Sequence, residues 1–269
     1  HSFFKIIPAL LQSGKKIVGI VSRSNNFRIR RFRRFRKIEL AVKTLPKETI
    51  FFLSTPPSTH FNYIKILLSS KRDFIVEKPM FTNPKQVIAC KKYFLSDRKL
   101  IFREAFMYKY SLMYKKGKSF FEKNFFQIES INCNFLLPNY SQNTFRDKID
   151  LESSPLYDIG CYIIDFFVSL NKPLQDFNII NIKYLNNKIV NIRFSFRINT
   201  KLVQCEIGIS DYYSNNIIFN MLSGHYFEYT PFFYGRPKMK MIKNNFNNTD
   251  ITFYDKNAFV EMFKVNRKI

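Results

Sequence analysis

Residues 6–13 (IIPALLQS) carry apolar side chains at helical spacing and stop at Gly14, a residue suited to cap a helix. The short unbroken run IVGIV at 17–21 then reads as a buried strand. A second apolar strand is expected over 49–54 (TIFFLS), halted by Pro56 and Pro57, followed by a helix over 58–70 and a third strand over 73–76 (DFIV). Residues 84–95 continue as a helix and 100–103 (LIFR) as a short strand. Short apolar strands alternating with helices predict a parallel sheet with crossover helices.

After residue 104 the period changes. The stretches 125–137, 179–185, 188–198, 202–210 and 216–222 are extended, rich in β-branched and aromatic residues, and joined by short polar connectors. One strongly helical stretch, 156–170 (LYDIGCYIIDFFVSL), interrupts them. The pattern therefore predicts two domains: an α/β parallel-sheet domain at 1–104 and an α+β domain with a mainly antiparallel sheet at 105–269.

Composition adds exclusions. The 269 residues suffice for one large or two smaller cores, and the 46% that are hydrophobic include no uninterrupted stretch of membrane-spanning length. A membrane partner is not expected. The residues around His1 lack the layout of a secretory signal, and the chain reads as beginning inside a longer one. Cys90, Cys133, Cys161 and Cys205 are far apart, without a CxxC pair and with three histidines in all, so spacing offers no metal site and a reducing, cytoplasmic setting fits. The formal charge of +24 favours polyanions in principle. Its lysines and arginines are spread along the whole chain, however, and read as compositional bias on a solvated surface.

The densest charge run is FRIRRFRRFRK at 27–37, with seven basic residues among the ten from Arg28. An RNA-binding or membrane-surface segment has this look, and the run is the one positive feature for a basic nucleic-acid-binding protein. Phe32 and Phe35 lie three apart, so a short helix with its apolar side on the sheet and its arginines in water fits as well, and is the expectation here. Ser22 and Arg23 directly follow the strand IVGIV. In a dinucleotide fold that position meets the adenosine ribose, where an arginine without an acid favours NADP(H) over NAD(H). Ser54-Thr55-Pro56-Pro57-Ser58-Thr59-His60 follows the next strand at the edge where open α/β sheets hold ligands. FIVEKPM at 74–80 closes the third strand at the same edge. There Lys78 can donate a hydrogen bond to a substrate oxygen, desolvation can lower its pKa, and Glu77 sets its local field.

Taken in order, these stretches resemble the Gfo/Idh/MocA family of nicotinamide-dependent oxidoreductases. Thr55, Pro56 and His60 match its Thr-Pro-x-x-x-His turn, and Glu77, Lys78 and Pro79 match its Glu-Lys-Pro. Glu104-Ala-Phe-Met-Tyr-Lys-Tyr110 and Leu156-Tyr-Asp-Ile-Gly-Cys-Tyr162 are similar to segments of the branch with dihydrodiol dehydrogenases, NADP-dependent xylose dehydrogenases and glucose–fructose oxidoreductase.

The resemblance implies a Rossmann-like first domain and NADP, with NAD as the alternative, bound by Ser22, Arg23, Ser54, Thr55, Pro56, His60, Glu77, Lys78 and Glu104. It implies Lys78 and Tyr162 as the catalytic pair with Asp158 one helical turn before Tyr162. Spacing adds that residues four apart share a helix face. The implied reaction is hydride transfer between nicotinamide C4 and a carbinol carbon of a sugar, sugar derivative or cyclic diol, with Tyr162, assisted by Lys78, exchanging the hydroxyl proton. A homo-oligomer, dimer or tetramer, formed through the exposed face of the second-domain sheet, is implied as well.

Departures accompany the match. The family's first strand and glycine-rich turn are not found before residue 6, which reads as a chain clipped at both ends, and Ser153-Ser154-Pro155 stands where glycines are usual. An inactive remnant of such an enzyme is therefore the alternative reading.

Overall fold

The computed structural model describes residues 5–23, 32–96, 100–138, 149, 153–235, 238–246 and 250–265. The chain divides into two compact units, one made of residues up to Phe106 together with those from Phe259 onward, the other of Met107–Ala258. The sequence pattern assigns everything after 104 to the second domain. The C-terminal residues rejoin the first unit instead, where the Phe263 ring meets Phe52 edge to face at 5.6 Å between centroids.

In the first unit, α1 (Ile7–Gln12) leads to β1 (Ile20–Val21), which pairs in parallel with β2 (Arg34–Phe35). Helix α2 (Ile38–Thr44) follows, then β3 (Phe51–Leu53), α3 (Pro57–Ser69), β4 (Phe74–Val76), α4 (Pro84–Ser96) and β5 (Phe102–Glu104). Strands β3, β4 and β5 form a separate three-stranded parallel sheet in that order. Every residue of β4 is buried, as expected of a central parallel strand covered on both faces. Ala41 of α2 and Ile64 and Leu67 of α3 are fully buried in the same core. Arg72, also buried, ends the α3–β4 turn; its guanidinium donates to the carbonyls of Val42, Leu45 (2.8 Å) and Pro46 (2.6 Å), satisfying the C-terminus of α2.

The basic run behaves differently from its expected helix. Residues 27–31 lie outside the described set, but Arg34–Phe35 is a strand, and its neighbour Arg33 lies over the Phe35 ring at 5.1 Å. Pairing with β1 overrides the helical spacing of Phe32 and Phe35, because the buried Phe35 packs down against Gly19.

Among the described residues, the second unit is built on a mixed sheet of eight strands. After a 3-10 turn at Met107–Tyr110 and α5 (Leu112–Asn124) come β6 (Ile128–Leu137), a π-type turn at Leu156–Gly160 and α6 (Cys161–Val168). Strands β7 (Leu174–Leu185), β8 (Lys188–Ile198), β9 (Lys201–Ile209), β10 (Ser214–Met221), β11 (Tyr226–Thr230), β12 (Lys238–Asn244) and β13 (Ile251–Asp255) follow, and α7 (Ala258–Lys264) closes the described chain. The strand order is β13-β12-β11-β10-β6-β9-β8-β7, antiparallel throughout except for the parallel pair β6 and β9. The two helices pack on one face: Phe120 and Phe121 of α5 meet Phe219, and Phe167 of α6 meets Phe196. The sequence reading contains neither α5 nor β11–β13; α5 has a polar surface and a mid-helix Gly117, and the three strands are short.

Candidate active site

The first unit holds a cavity of about 1880 Å³ between its two sheets, lined by Ile17–Val21 on one side and Phe51–Leu53 on the other. At the carboxyl ends of these strands the walls are Ser22 and Arg23, and Ser54, Thr55, Pro56 and Thr59. Arg36 and Lys37, between β2 and α2, add two further cations. The cavity also runs back to Lys15, Lys16 and Thr49 at the amino ends, so it is longer than the carboxyl-edge crevice that the sequence implies. Its length follows from the topology: β1 and β3 sit in separate sheets, and both border the cavity. Among the described residues no strand lies between them and no glycine-rich turn borders the cavity.

The Glu-Lys-Pro turn leaves β4 at the same end. The Glu77 N–H donates to the Leu53 carbonyl at 2.8 Å, carrying the ladder one residue past the strand, and the Lys78–Pro79 peptide is cis. Glu104, at the end of β5, accepts the Met80 N–H at 2.7 Å. His60, on the first turn of α3, is fully buried, with Nδ1 2.9 Å from the Pro79 carbonyl oxygen and Nε2 2.9 Å from that of Thr55. Burial pushes the Glu77 carboxyl above its usual value, and the positive charges of Lys78 and His60 pull it back.

In the second unit, Tyr162 occupies the first turn of α6 and is buried, its ring edge-on to those of Tyr108 (5.6 Å) and Phe135 (5.8 Å). Its hydroxyl donates to the Met107 thioether at 3.4 Å, a weak acceptor. Asp158 is buried within the π-type turn, and its N–H donates to the Ser154 carbonyl at 3.0 Å. The wider turn replaces the regular helix expected from 156, and such turns recur where side chains are redirected at functional sites. Behind Tyr162, Asp165 accepts from the Tyr108 hydroxyl at 2.6 Å and pairs with Lys109 at 2.8 Å. Burial, and then the Asp165 charge, push the Tyr108 hydroxyl well above its usual range, so it stays a donor.

Residues 5–103 match the model of an oxidoreductase family with an NAD-binding Rossmann fold. The first domain is of the Gfo/Idh/MocA type. Comparison with curated proteins gives no match. Among solved structures, the 3-ketoreductase KijD10 from Actinomadura kijaniata, in complex with NADP and TDP-benzene, superposes with a TM-score of 0.79 at 17% identity, over 97% of this chain and 83% of its own. The aldose-aldose oxidoreductase from Caulobacter crescentus, complexed with glycerol, gives 0.76 at 14% identity, over 96% of this chain and 82% of its own. At these identities the likeness is one of fold.

Within the Gfo/Idh/MocA domain, Ser22, Arg23, Ser54, Thr55 and Pro56 share one cavity, whereas His60, Glu77, Lys78 and Glu104 gather around the Pro79 turn and are not among the residues lining it. Sequence reasoning missed Arg36 and Lys37, because the basic run reads as a solvated face. It also missed Asp165, for which a signal existed: it stands one helical turn beyond Tyr162. No group of three or more His, Cys, Asp or Glu that would hold a metal occurs among the described residues, nor a helix long and apolar enough to cross a membrane.

Proposed function

We propose that this protein is an NADP(H)-dependent oxidoreductase acting on a hydroxyl or carbonyl of a sugar, sugar derivative or cyclic diol. The observation carrying the proposal is the cavity whose lining includes Arg23, Arg36 and Lys37 beside Ser22; Glu39, at the start of α2, lines it too, but no carboxylate directly follows β1 in the chain. That donor set fits an adenosine ribose bearing a 2′-phosphate, since a guanidinium binds phosphate through paired, charge-assisted N–H donors and an acidic residue would repel it. The NADP in the KijD10 complex and the aldose-aldose oxidoreductase activity named for the Caulobacter crescentus protein point the same way.

When bound, the cofactor supplies the hydride chemistry. This chain's residues would do the rest. Ser22 and Arg23 hold the adenosine end, and Ser54, Thr55 and Pro56 form the opposite wall. By the family resemblance, Lys78 would donate a hydrogen bond to a substrate oxygen and the Tyr162 hydroxyl would exchange a proton, with Asp158 one helical turn before it.

Fluorescence titration with NADPH and NADH tests the reading. Saturable NADPH quenching, with NADH weaker, is expected; the absence of NADPH binding would count for the alternative, an inactive remnant of this family. Oxidation of a panel of aldoses and cyclic diols with NADP, followed at the nicotinamide absorbance, then identifies the substrate class.

A further inference from the structure

His60 reads from the sequence as a cofactor-binding residue, yet its ring is fully buried and turned onto the backbone. Nδ1 lies 2.9 Å from the Pro79 oxygen and Nε2 2.9 Å from the Thr55 oxygen. Both partners are peptide carbonyls, which only accept. A neutral imidazole has a single N–H, so either tautomer would set a nitrogen lone pair against one of the two oxygens. The imidazolium alone donates to both. The buried carboxyl that feels this ring is Glu77, the residue after β4: burial raises it, and the charges of Lys78, His60 and Lys5 lower it in part.

We propose that His60 is a positioning residue, held as an imidazolium, that ties the Thr55 carbonyl at the end of β3 to the Pro79 carbonyl beyond β4. The tie fixes the turn carrying Lys78 relative to the Thr55–Pro56 wall of the cavity. The residue acts through the backbone of its two neighbours. Two carbonyls on separate turns are held by one ring, so the spacing of the turns is set by the width of the imidazole. The consequence for turnover rests on the oxidoreductase reading; the protonation state does not.

The test is nitrogen NMR of the full chain labelled with ¹⁵N-histidine, recorded near pH ~8, well above the ordinary imidazole value of about 6.5. One of the three histidines is expected to show both ring nitrogens protonated, and that pair of signals should vanish in His60→Gln. A neutral tautomer for His60 at that pH overturns the proposal. In kinetics, His60→Gln is expected to lower kcat by roughly ten- to a hundredfold, the scale of a displaced catalytic group, with less than about a threefold change in NADPH Kd. Unchanged kcat would remove the positioning role. Failure of the unsubstituted chain to bind NADPH would instead sink the oxidoreductase reading and leave the NMR result standing.

Discussion

Lys78 follows Glu77 at the point where β4 leaves the sheet, and three contacts hold that turn: the Leu53 carbonyl, the Glu104 carboxylate and the His60 ring. So constrained a backbone fixes the point from which the Lys78 side chain leaves the turn. Lys78→Ala is therefore expected to reduce turnover by roughly 10²–10⁴-fold while sparing cofactor affinity, read from parallel stopped-flow and fluorescence titrations. Near-normal turnover would end its catalytic assignment. Arg23→Ala addresses cofactor choice: loss of a charge-assisted bond of about 1.5–3 kcal/mol should weaken NADPH by roughly ten- to a hundredfold and leave NADH nearly unchanged. An equal loss for both cofactors would place Arg23 outside phosphate recognition. Both residues are legible in the sequence because each stands directly after a strand, where chain order alone predicts exposure to ligand. His60 is legible only as a motif member; that its two nitrogens meet carbonyls from different turns depends on long-range packing.

Helix α5 depends on an ion pair that no local pattern announces. Lys240 of β12 and Asp255 at the end of β13 are both buried and 3.0 Å apart, and the same carboxylate accepts the Leu112 and Met113 N–H groups at the start of α5. Lys240 also donates to the Tyr234 carbonyl at 2.9 Å. Asp255→Asn leaves the ammonium buried without its countercharge and should cost about 3–5 kcal/mol in urea unfolding. Burial holds the Lys240 pKa below its ordinary value, partly offset by Asp255. The unfolded chain therefore binds more protons than the folded one between that lowered value and about 10.4, and stability should climb with pH across this window. In Lys240→Met the climb should disappear; its persistence would assign it to another group. Gly117, midway along α5, lets the helix approach Phe232: an added Cβ would lie 2.5 Å from that ring, which is itself wedged against Phe166 and Phe233. Gly117→Ala gains about 1 kcal/mol in helix propensity but is expected to lose more to overpacking, which costs about 1–3 kcal/mol, and so to lower Tm. A raised Tm would mean that the ring yields.

At the scale of the whole molecule, β7 leaves apolar surface open. Phe177, Ile179, Ile180, Tyr184 and Leu185 are all more than half exposed on this edge strand, an arrangement rare on a monomer. It fits the homo-oligomer that the family resemblance implies, and Ile179→Asp should shift the mass seen by light scattering towards the monomer; an unchanged mass would remove β7 from such an interface. The sequence by itself determined the alternation of β and α in the first unit, the change to extended strands in the second, and the carboxyl-edge placement of Arg23, Thr55 and Lys78. All three follow from hydrophobic period and chain order, which are local. Tertiary structure alone decided that Arg34–Phe35 pairs as a strand, that the chain's last helix rejoins the first unit, that Leu156–Gly160 opens into a π-type turn, and that His60 turns away from the cavity onto two carbonyls. Each of these is settled by partners distant in sequence, whose packing and hydrogen bonds outweigh the weak preferences of the segment itself.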